Sequence, residues 1–400
     1  MKRPRILVIT PRFPYPVIGG DRLRIYQVCK VLSTNYRLTL LSLCDKPAEL
    51  SMPIPDDGVF HSVERIFLPR WRSWLNCAFA LTSDEPLQVA YYRHREFRHR
   101  AATLMREHDG TLAHLIRVGD AIKDQPGVKF LEMTDAISMN YERIRKTKDS
   151  KRDLRTHIFS FEAKRLRKYE TMIADYFDHN FLVSEIDRQF LFNGQPERLA
   201  RVSVCSNGVD LSALPFNFEQ AGQDVIFIGN MVTLQNFDAA LFMAADVLPL
   251  IRIQRPSTKL RLIGRISPEH AARLAALKAV EVTGEVEDVA IAARGGGVGV
   301  CPMRLGAGVQ NKVLEYMALG LPTVSTQLGL EGFEAVSGRD LLVADDAKGI
   351  AAAVVKLLED RDAACEMAQC ARAYVEAHHS WGFMLNSLMM TINTHISKTI

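Results

Sequence analysis

The sequence predicts an α/β protein made of two Rossmann-like domains in tandem. Three observations carry that expectation. Short apolar runs bounded by turn residues alternate with longer stretches of helical period from end to end, the pattern of βαβ units around mostly parallel sheets. The alternation resets once, at the turn cluster Ser206-Asn207-Gly208-Val209-Asp210 and the irregular segment Leu211–Gly222 with its Pro215. The chain has 400 residues, and single hydrophobic cores stop growing near about 250–300. The expected domains are therefore 1–210 and 211–380.

In the first domain, strands are expected at Arg5–Thr10, Arg37–Leu43, Ala113–Ile116, Val128–Glu132, Asn180–Val183 and Arg201–Val204, with helices such as Asp21–Leu32 and the long, charged Thr156–Phe177 between them. The second repeats the pattern. Strands Asp224–Ile228, Lys259–Ile263, Val280–Thr283, Val298–Pro302 and Pro322–Ser325 alternate with helices Asn236–Ile251, Pro268–Leu277 and Gln310–Leu319, before a helical tail from Ala347 to about Ala377. Residues 381–400 form an amphipathic end (Phe383, Leu385, Leu388, Met389, Ile392) whose period does not choose a domain.

Composition excludes several classes. A hydrophobic fraction of 48 % with 24 Gly and 17 Pro is globular usage, not that of a disordered or collagen-like chain. Seven cysteines, odd in number and without metal-ligand rhythm, suit a reducing cytoplasm. The first apolar run is short and ends at Pro11, and no stretch reaches about 18 apolar residues, so neither signal peptide nor membrane span is expected. The net charge of +4 is uneven: residues 93–107 carry five Arg against two Glu, and 141–170 carry eleven Lys/Arg against five Asp/Glu. No nucleic-acid module accompanies these runs, so no nucleic-acid partner is expected. Solvated helix faces, an anionic membrane surface or a polyanionic acceptor each explain them. Trp71 and Trp74, in the Arg-flanked apolar stretch Phe67–Leu81, favour the membrane surface, and with it a cytoplasmic enzyme peripheral to the inner face of the membrane.

The most informative stretch runs from Pro302 to Thr326. A strand ends at Pro302, a glycine loop Gly306-Ala307-Gly308 follows, and a helix opens near Gln310, so free backbone N–H groups and the positive helix end point at whatever anion occupies the loop. Glu315 lies on that helix, unable to bind phosphate but suited to a ribose diol; an ordinary strand–loop–helix with Glu315 in solvent fits the same spacing. Gly19-Gly20 precedes the first helix, with Asp21 as its N-cap and Arg24 on the first turn. Asp135 and Arg117 follow apolar strands at the ends where α/β sites gather. Gly295–Gly299 runs into a strand, not a helix, and so lacks a dinucleotide-binding mechanism, while Asp360-Arg361-Asp362 joins two helical stretches and reads as helix surface.

The core Lys312-x-Leu-Glu315-x-Met-Ala-x-Gly-x-Pro322, together with Ile228-Gly229, Gly284-Glu-Val-Glu-Asp, the Asn207–Asp210 linker and Gly19-Gly20, resembles the group-1, family-4-like glycosyltransferases, and among them the sugar transferases of bacterial exopolysaccharide clusters. The resemblance implies a GT-B fold, with two Rossmann-like domains facing across a cleft: an N-terminal acceptor domain and a C-terminal domain for a nucleotide-sugar donor. It implies no cofactor and no metal, and a C-terminal helix (381–400) that returns to the first domain. Its motifs place the donor at Gly19, Gly20, Arg24, Gly229, Gly264, Arg265, Val286, Gly306, Ala307, Gly308, Asn311 and Glu315, with Asp135 on the acceptor side.

This chain departs from the family pattern. The first glutamate of the family's E-x7-E motif is Ala307, and its usual basic pair reads Asn230 and Gln235. A leaving diphosphate needs cationic or N–H donors placed in advance; Arg304 and Lys312, bracketing the glycine loop, are the expected replacements. The implied activity is retaining transfer of a hexose-type sugar to a hydroxyl of a glycan or lipid-linked acceptor. A GT-B-fold nucleotide-sugar epimerase and an inactive donor-binding paralogue are the alternatives.

Overall fold

The computed structural model of the chain describes residues 3–17, 19–145, 154–306 and 309–398. The polypeptide divides into two compact units, Met1–Ser206 with Leu385–Ile400, and Asn207–Met384. Each is a parallel sheet flanked by helices, the two Rossmann-like α/β domains the alternation predicts.

The first unit has seven strands: β1 (Arg5–Thr10), β2 (Arg37–Cys44), β3 (Ser62–Phe67), β4 (Gly110–His114), β5 (Lys129–Thr134), β6 (His179–Leu182) and β7 (Val202–Val204). Their order, β3-β2-β1-β4-β5-β6-β7, reverses between β1 and β4. Central strands are apolar throughout because both faces are covered: Ile6, Leu7, Val8 and Ile9 of β1 have no exposure at all. β3 was not expected from the sequence. As an edge strand it reads SVERIF, with Glu64 and Arg65 breaking the apolar run that betrays buried strands. The helices used below are α1 (Gly20–Leu32), α2 (Arg70–Ala80), α3 (Arg95–Met105), α4 (Ile137–Arg145), α5 (Leu154–Ile173) and α6 (Glu185–Phe192).

The second unit has six strands, β8 (Asp224–Ile228), β9 (Leu260–Ile263), β10 (Val280–Gly284), β11 (Gly296–Cys301), β12 (Thr323–Ser325) and the two-residue β13 (Leu342–Val343), in the order β10-β9-β8-β11-β12-β13. Here the reversal lies between β8 and β11. The glycines of β11 serve packing: a Cβ on Gly299 would stand 2.5 Å from the Tyr316 ring, and the Tyr316 hydroxyl accepts from the Ile228 N–H (2.8 Å) and donates to the Val300 carbonyl (3.1 Å), joining β8 to β11. α7 (Leu234–Gln254) follows β8 and contains a π turn at Met243–Val247, just before Pro249, which has no N–H to continue a regular helix. Among the described residues it is the one helix long and apolar enough to cross a membrane, and half of its apolar window is buried inside the protein. Then come α8 (Pro268–Ala275), α9 (Asn311–Leu319), α10 (Ala347–Glu359) and α11 (Arg361–His378). The expected single tail is thus two helices, separated at Asp360, whose carboxylate caps α11 by accepting from the Ala363 N–H.

The last helix, α12 (Asn386–Ser397), packs on the first unit. Tyr36 donates to Asn393, and the His395 ring meets Phe130 edge-on at 5.7 Å. All seven cysteines are free.

Among the described residues, several cations of the basic runs are matched by partners. Arg93 pairs with Glu85, Arg98 with Asp124 (3.2 Å), and Arg100 forks onto Glu64 (2.6 Å). Of the second run, residues 146–153 lie outside the described residues; Arg165 donates to the carbonyls of Ala80, Leu81, Ser83 and Glu85, and Lys168 pairs with Asp84 at 2.7 Å.

Candidate functional site

In open parallel sheets, ligands gather outside the C-terminal strand ends where strand order reverses. Each unit has one such place, and most of the residues singled out in the sequence lie at one or the other.

In the first unit this edge is filled with charge. Glu132, two residues before the end of β5, is fully buried and accepts from Arg24 Nε (2.7 Å) and Thr134 Oγ1 (3.0 Å), with His114 Nδ1 at 2.6 Å. Burial would raise its carboxyl, but Arg24 and His114 overcome that and hold it down at about 2. Arg24 is 1 % exposed, and its other donors go to the carbonyls of Cys205 (2.8 Å) and Ser206 (3.3 Å). This corrects the expectation that Arg24 meets the donor: it is an internal brace. Asp21 is also not the N-cap, because α1 starts one residue earlier with Gly19 in the cap position. Asp21 instead pairs with Arg12 (2.8 Å); burial pushes its carboxyl up, but Arg12, His114 and Arg117 leave it below its ordinary value. Gly19 and Gly20 stay at the reversal point, opening α1.

Asp135 stands one residue beyond β5, half-buried, accepting from Asn140 Nδ2 at 3.1 Å. Burial and the like charge of Asp187 raise its carboxyl to about 7, against the pull of Arg117. Beside it Glu170 is fully buried, accepting from the Ile137 N–H (2.7 Å) and the Ser138 hydroxyl, and burial lifts it to about 8. Leu115 and Thr134, at the ends of β4 and β5, both take left-handed backbone (φ 67° and 68°), which non-glycine residues rarely adopt and which concentrates at functional edges. His114 escaped the sequence analysis. A polar residue closing an apolar strand was the available signal.

The second edge is built mainly of backbone. Gly229, Gly264 and Gly284 end β8, β9 and β10 and bond in series: Gly229 N–H to Ile263 O (2.9 Å), Gly264 N–H to Gly284 O (2.9 Å). Gly264 has φ +130°, and a Cβ there would stand 2.3 Å from the Gly229 carbonyl oxygen. Arg265 follows, its carbonyl accepting from Met231 N–H, and Val286 lies just beyond β10, half-buried. After β11 the chain passes Gly306 (φ +133°) into α9, whose N-cap residue Gln310 makes no side-chain cap bond; Ala307 and Gly308 lie outside the described residues.

The first turns of α9 bring three predicted residues together. Asn311 and Glu315 share a face, one turn apart. Among the described residues, Asn311 Oδ1 is buried with no hydrogen-bond partner and the Glu315 carboxylate makes no hydrogen bond; burial raises the Glu315 pKa while Lys312 opposes the rise. Lys312 is 7 % exposed and donates to Asn236 Oδ1 (2.9 Å) and Gln310 Oε1 (3.1 Å), its ammonium held below the usual lysine value by burial, with Cys301 and Glu315 pulling it back up. Arg304 behaves differently. It forks onto Asp238 (2.7 and 3.1 Å) and stacks over Phe242 at 4.3 Å, so its charge is already matched within α7 and the expected convergence of Arg304 and Lys312 on one phosphate is not what the side chains do.

Residues 222–360, which contain this second edge, match the family described as "Glycosyl transferases group 1". No curated protein sequence matches the chain significantly. Among solved structures, the chain is similar to a sucrose-phosphate synthase from Thermosynechococcus elongatus (14 % identity, TM-score 0.72, 99 % of this chain and 100 % of that one). It is also similar to HepE from Anabaena, solved with UDP and glucose (12 %, 0.68, 97 % and 99 %), and to a glycosyltransferase from Rickettsia africae (13 %, 0.64, all of both chains). These likenesses establish the fold, which is that of the GT-B glycosyltransferases.

Proposed function

We propose that the protein is a retaining, metal-independent glycosyltransferase that moves a hexose-type sugar from a nucleoside-diphosphate donor to a hydroxyl of a glycan or lipid-linked acceptor in polysaccharide biosynthesis, working in the cytoplasm at the inner face of the membrane. One observation carries it: within the segment that matches the group 1 family, a helix N-terminus whose cap residue makes no side-chain cap bond is joined by a buried lysine and by a carboxylate and an amide oxygen without hydrogen-bond partners among the described residues. Those groups suit the diphosphate and ribose of a nucleotide, with Glu315 and Asn311 accepting from hydroxyls and Lys312 and the helix N–H groups facing phosphate. HepE, of the same fold, is described in complex with UDP-glucose.

In the reaction the bond from the sugar C1 to the phosphate oxygen breaks while C1 joins the acceptor oxygen on the same face. The hydroxyl proton passes to the departing phosphate, whose growing charge Lys312 and the α9 N–H groups stabilise. Asp135, near pH 7 in its titration, is the acceptor-side candidate.

Incubation with a panel of labelled nucleotide-sugars and a membrane extract, with and without EDTA, tests this reading. Transfer that survives EDTA is expected; activity abolished by EDTA and restored by manganese would contradict it. A second reading, a donor-binding protein without turnover, is favoured by the Arg304–Asp238 pair, since Asn230 and Gln235 supply no cation in its place. Binding without transfer or isomer formation would establish that reading.

A further inference from the structure

The first unit contains a cavity of about 550 Å³, walled by α2, the start of α3 and the segment after β4, that none of the donor-site residues lines. Its charge is one-sided: six Lys/Arg side chains border it, against Glu85 and Asp120. Four of the six do not decide the matter, since Arg93, Arg98 and Lys123 have acidic partners and Arg95 only borders the cavity. Arg72 and Arg117 do. Both Arg117 hydrogen bonds go to the neutral Gln88 Oε1 (3.0 and 2.8 Å), and Arg72 stands 3.1 Å from His94 Nε2. Burial, with Arg72 itself, disfavours the charged form of the His94 ring. Its Nδ1 accepts from the Phe97 N–H, leaving the proton on Nε2. Arg72 and His94 therefore meet donor to donor, an arrangement an anionic oxygen between them would satisfy.

The same helix carries an apolar stripe facing solvent. Trp71, Trp74 and Phe79 are 63 %, 67 % and 73 % exposed, with Leu75 and Leu81 beside them, at the spacing of one helix face. Stripe and cavity are continuous: Trp74 meets Tyr91 edge-on at 6.2 Å, Tyr91 meets Tyr92 at 5.0 Å, and Tyr92 lines the cavity. At the other side Arg117 lies close enough to Asp21 and Asp135 to bias both carboxyls, so the cavity adjoins the β4–β5 edge.

An amphiphile with an anionic head fits this layout. We propose that the cavity holds the phosphate or diphosphate head of a lipid acceptor, its tail along the α2 stripe and its glycan reaching past Arg117 to Asp135. The proposal rests on the glycosyltransferase reading for the word acceptor, but the binding it requires does not.

Calorimetry on the full chain, with decyl diphosphate below its micelle concentration, inorganic pyrophosphate, decanol and acidic vesicles as probes, tests it. Decyl diphosphate is expected to bind one to one, at least tenfold tighter than pyrophosphate or decanol. Arg72→Gln and Arg117→Gln should each weaken it fivefold or more, and Trp74→Ala should reduce the advantage over pyrophosphate while leaving pyrophosphate affinity unchanged. Affinity equal to that of decanol, indifference to both arginine changes, or binding to acidic vesicles but not to monomeric decyl diphosphate would each overturn it. UDP titrated into the same samples separates the two readings: UDP binding without decyl diphosphate binding removes the cavity proposal alone, and the reverse removes the donor site alone. Arg72 is exposed, so that variant keeps the test open if Arg117→Gln does not fold.

Discussion

At the C-terminal edge of the first sheet, Glu132 lies wholly buried between Arg24 and His114, and Asp135, Glu170 and Asp187 crowd the start of α4. At the matching edge of the second sheet, Gly229, Gly264 and Gly284 present backbone, and the Glu315 carboxylate and Asn311 amide oxygen of α9 keep unused bonding capacity among the described residues. One edge spends its polar groups on itself; the other holds them in reserve. The same topology therefore yields one edge whose charges fix a shape and another whose gaps admit a ligand.

The largest effect should come from breaking the self-satisfied edge. Glu132→Ala leaves the Arg24 guanidinium buried without its carboxylate, and loss of one partner of a buried pair costs about 3–5 kcal/mol. Denaturant unfolding followed in the first unit should show it, and a loss under about 1 kcal/mol would mean that the brace does not hold this edge. The pH response comes next. Glu170 folds with its carboxyl raised to about 8, so the stability it contributes is complete below the ordinary carboxyl range and is lost as pH rises through 8. The first unit should lose about 4 kcal/mol between pH 5 and 8.5 on this account. Glu170→Gln should flatten that slope; an unaltered slope would assign the pH dependence elsewhere. At the other edge, Gly264→Ala forces a Cβ against the Gly229 carbonyl at an unfavourable φ. It should destabilise the second unit by about 1–3 kcal/mol and weaken UDP binding, leaving the first unit's unfolding unchanged.

What the sequence disclosed follows the same division. Strands buried on both faces, such as Arg5–Thr10 and Asp224–Ile228, are continuous apolar runs and could be read directly. Ser62–Phe67 could not, because an edge strand carries charge, nor Leu342–Val343, because two residues make no pattern. The residues of α9 were legible because strand, glycine loop and helix are contiguous. The fate of Arg24 was not, since Glu132 stands 108 positions away, and neither was that of Arg304, whose partner Asp238 lies 66 away. Charge runs are incomplete guides for the same reason: Arg100 and Arg98 pair with Glu64 and Asp124, which lie outside the run.

The claim that the second edge reserves its groups for a nucleotide is tested most directly by titrating UDP into the wild-type protein and Glu315→Ala. Glu315 makes no hydrogen bond within the described chain, so its removal should leave unfolding of the second unit unchanged. Losing hydrogen bonds to a charged carboxylate should weaken UDP binding by about 1.5–3 kcal/mol, roughly 10- to 150-fold. An identical dissociation constant in the two proteins would contradict the account.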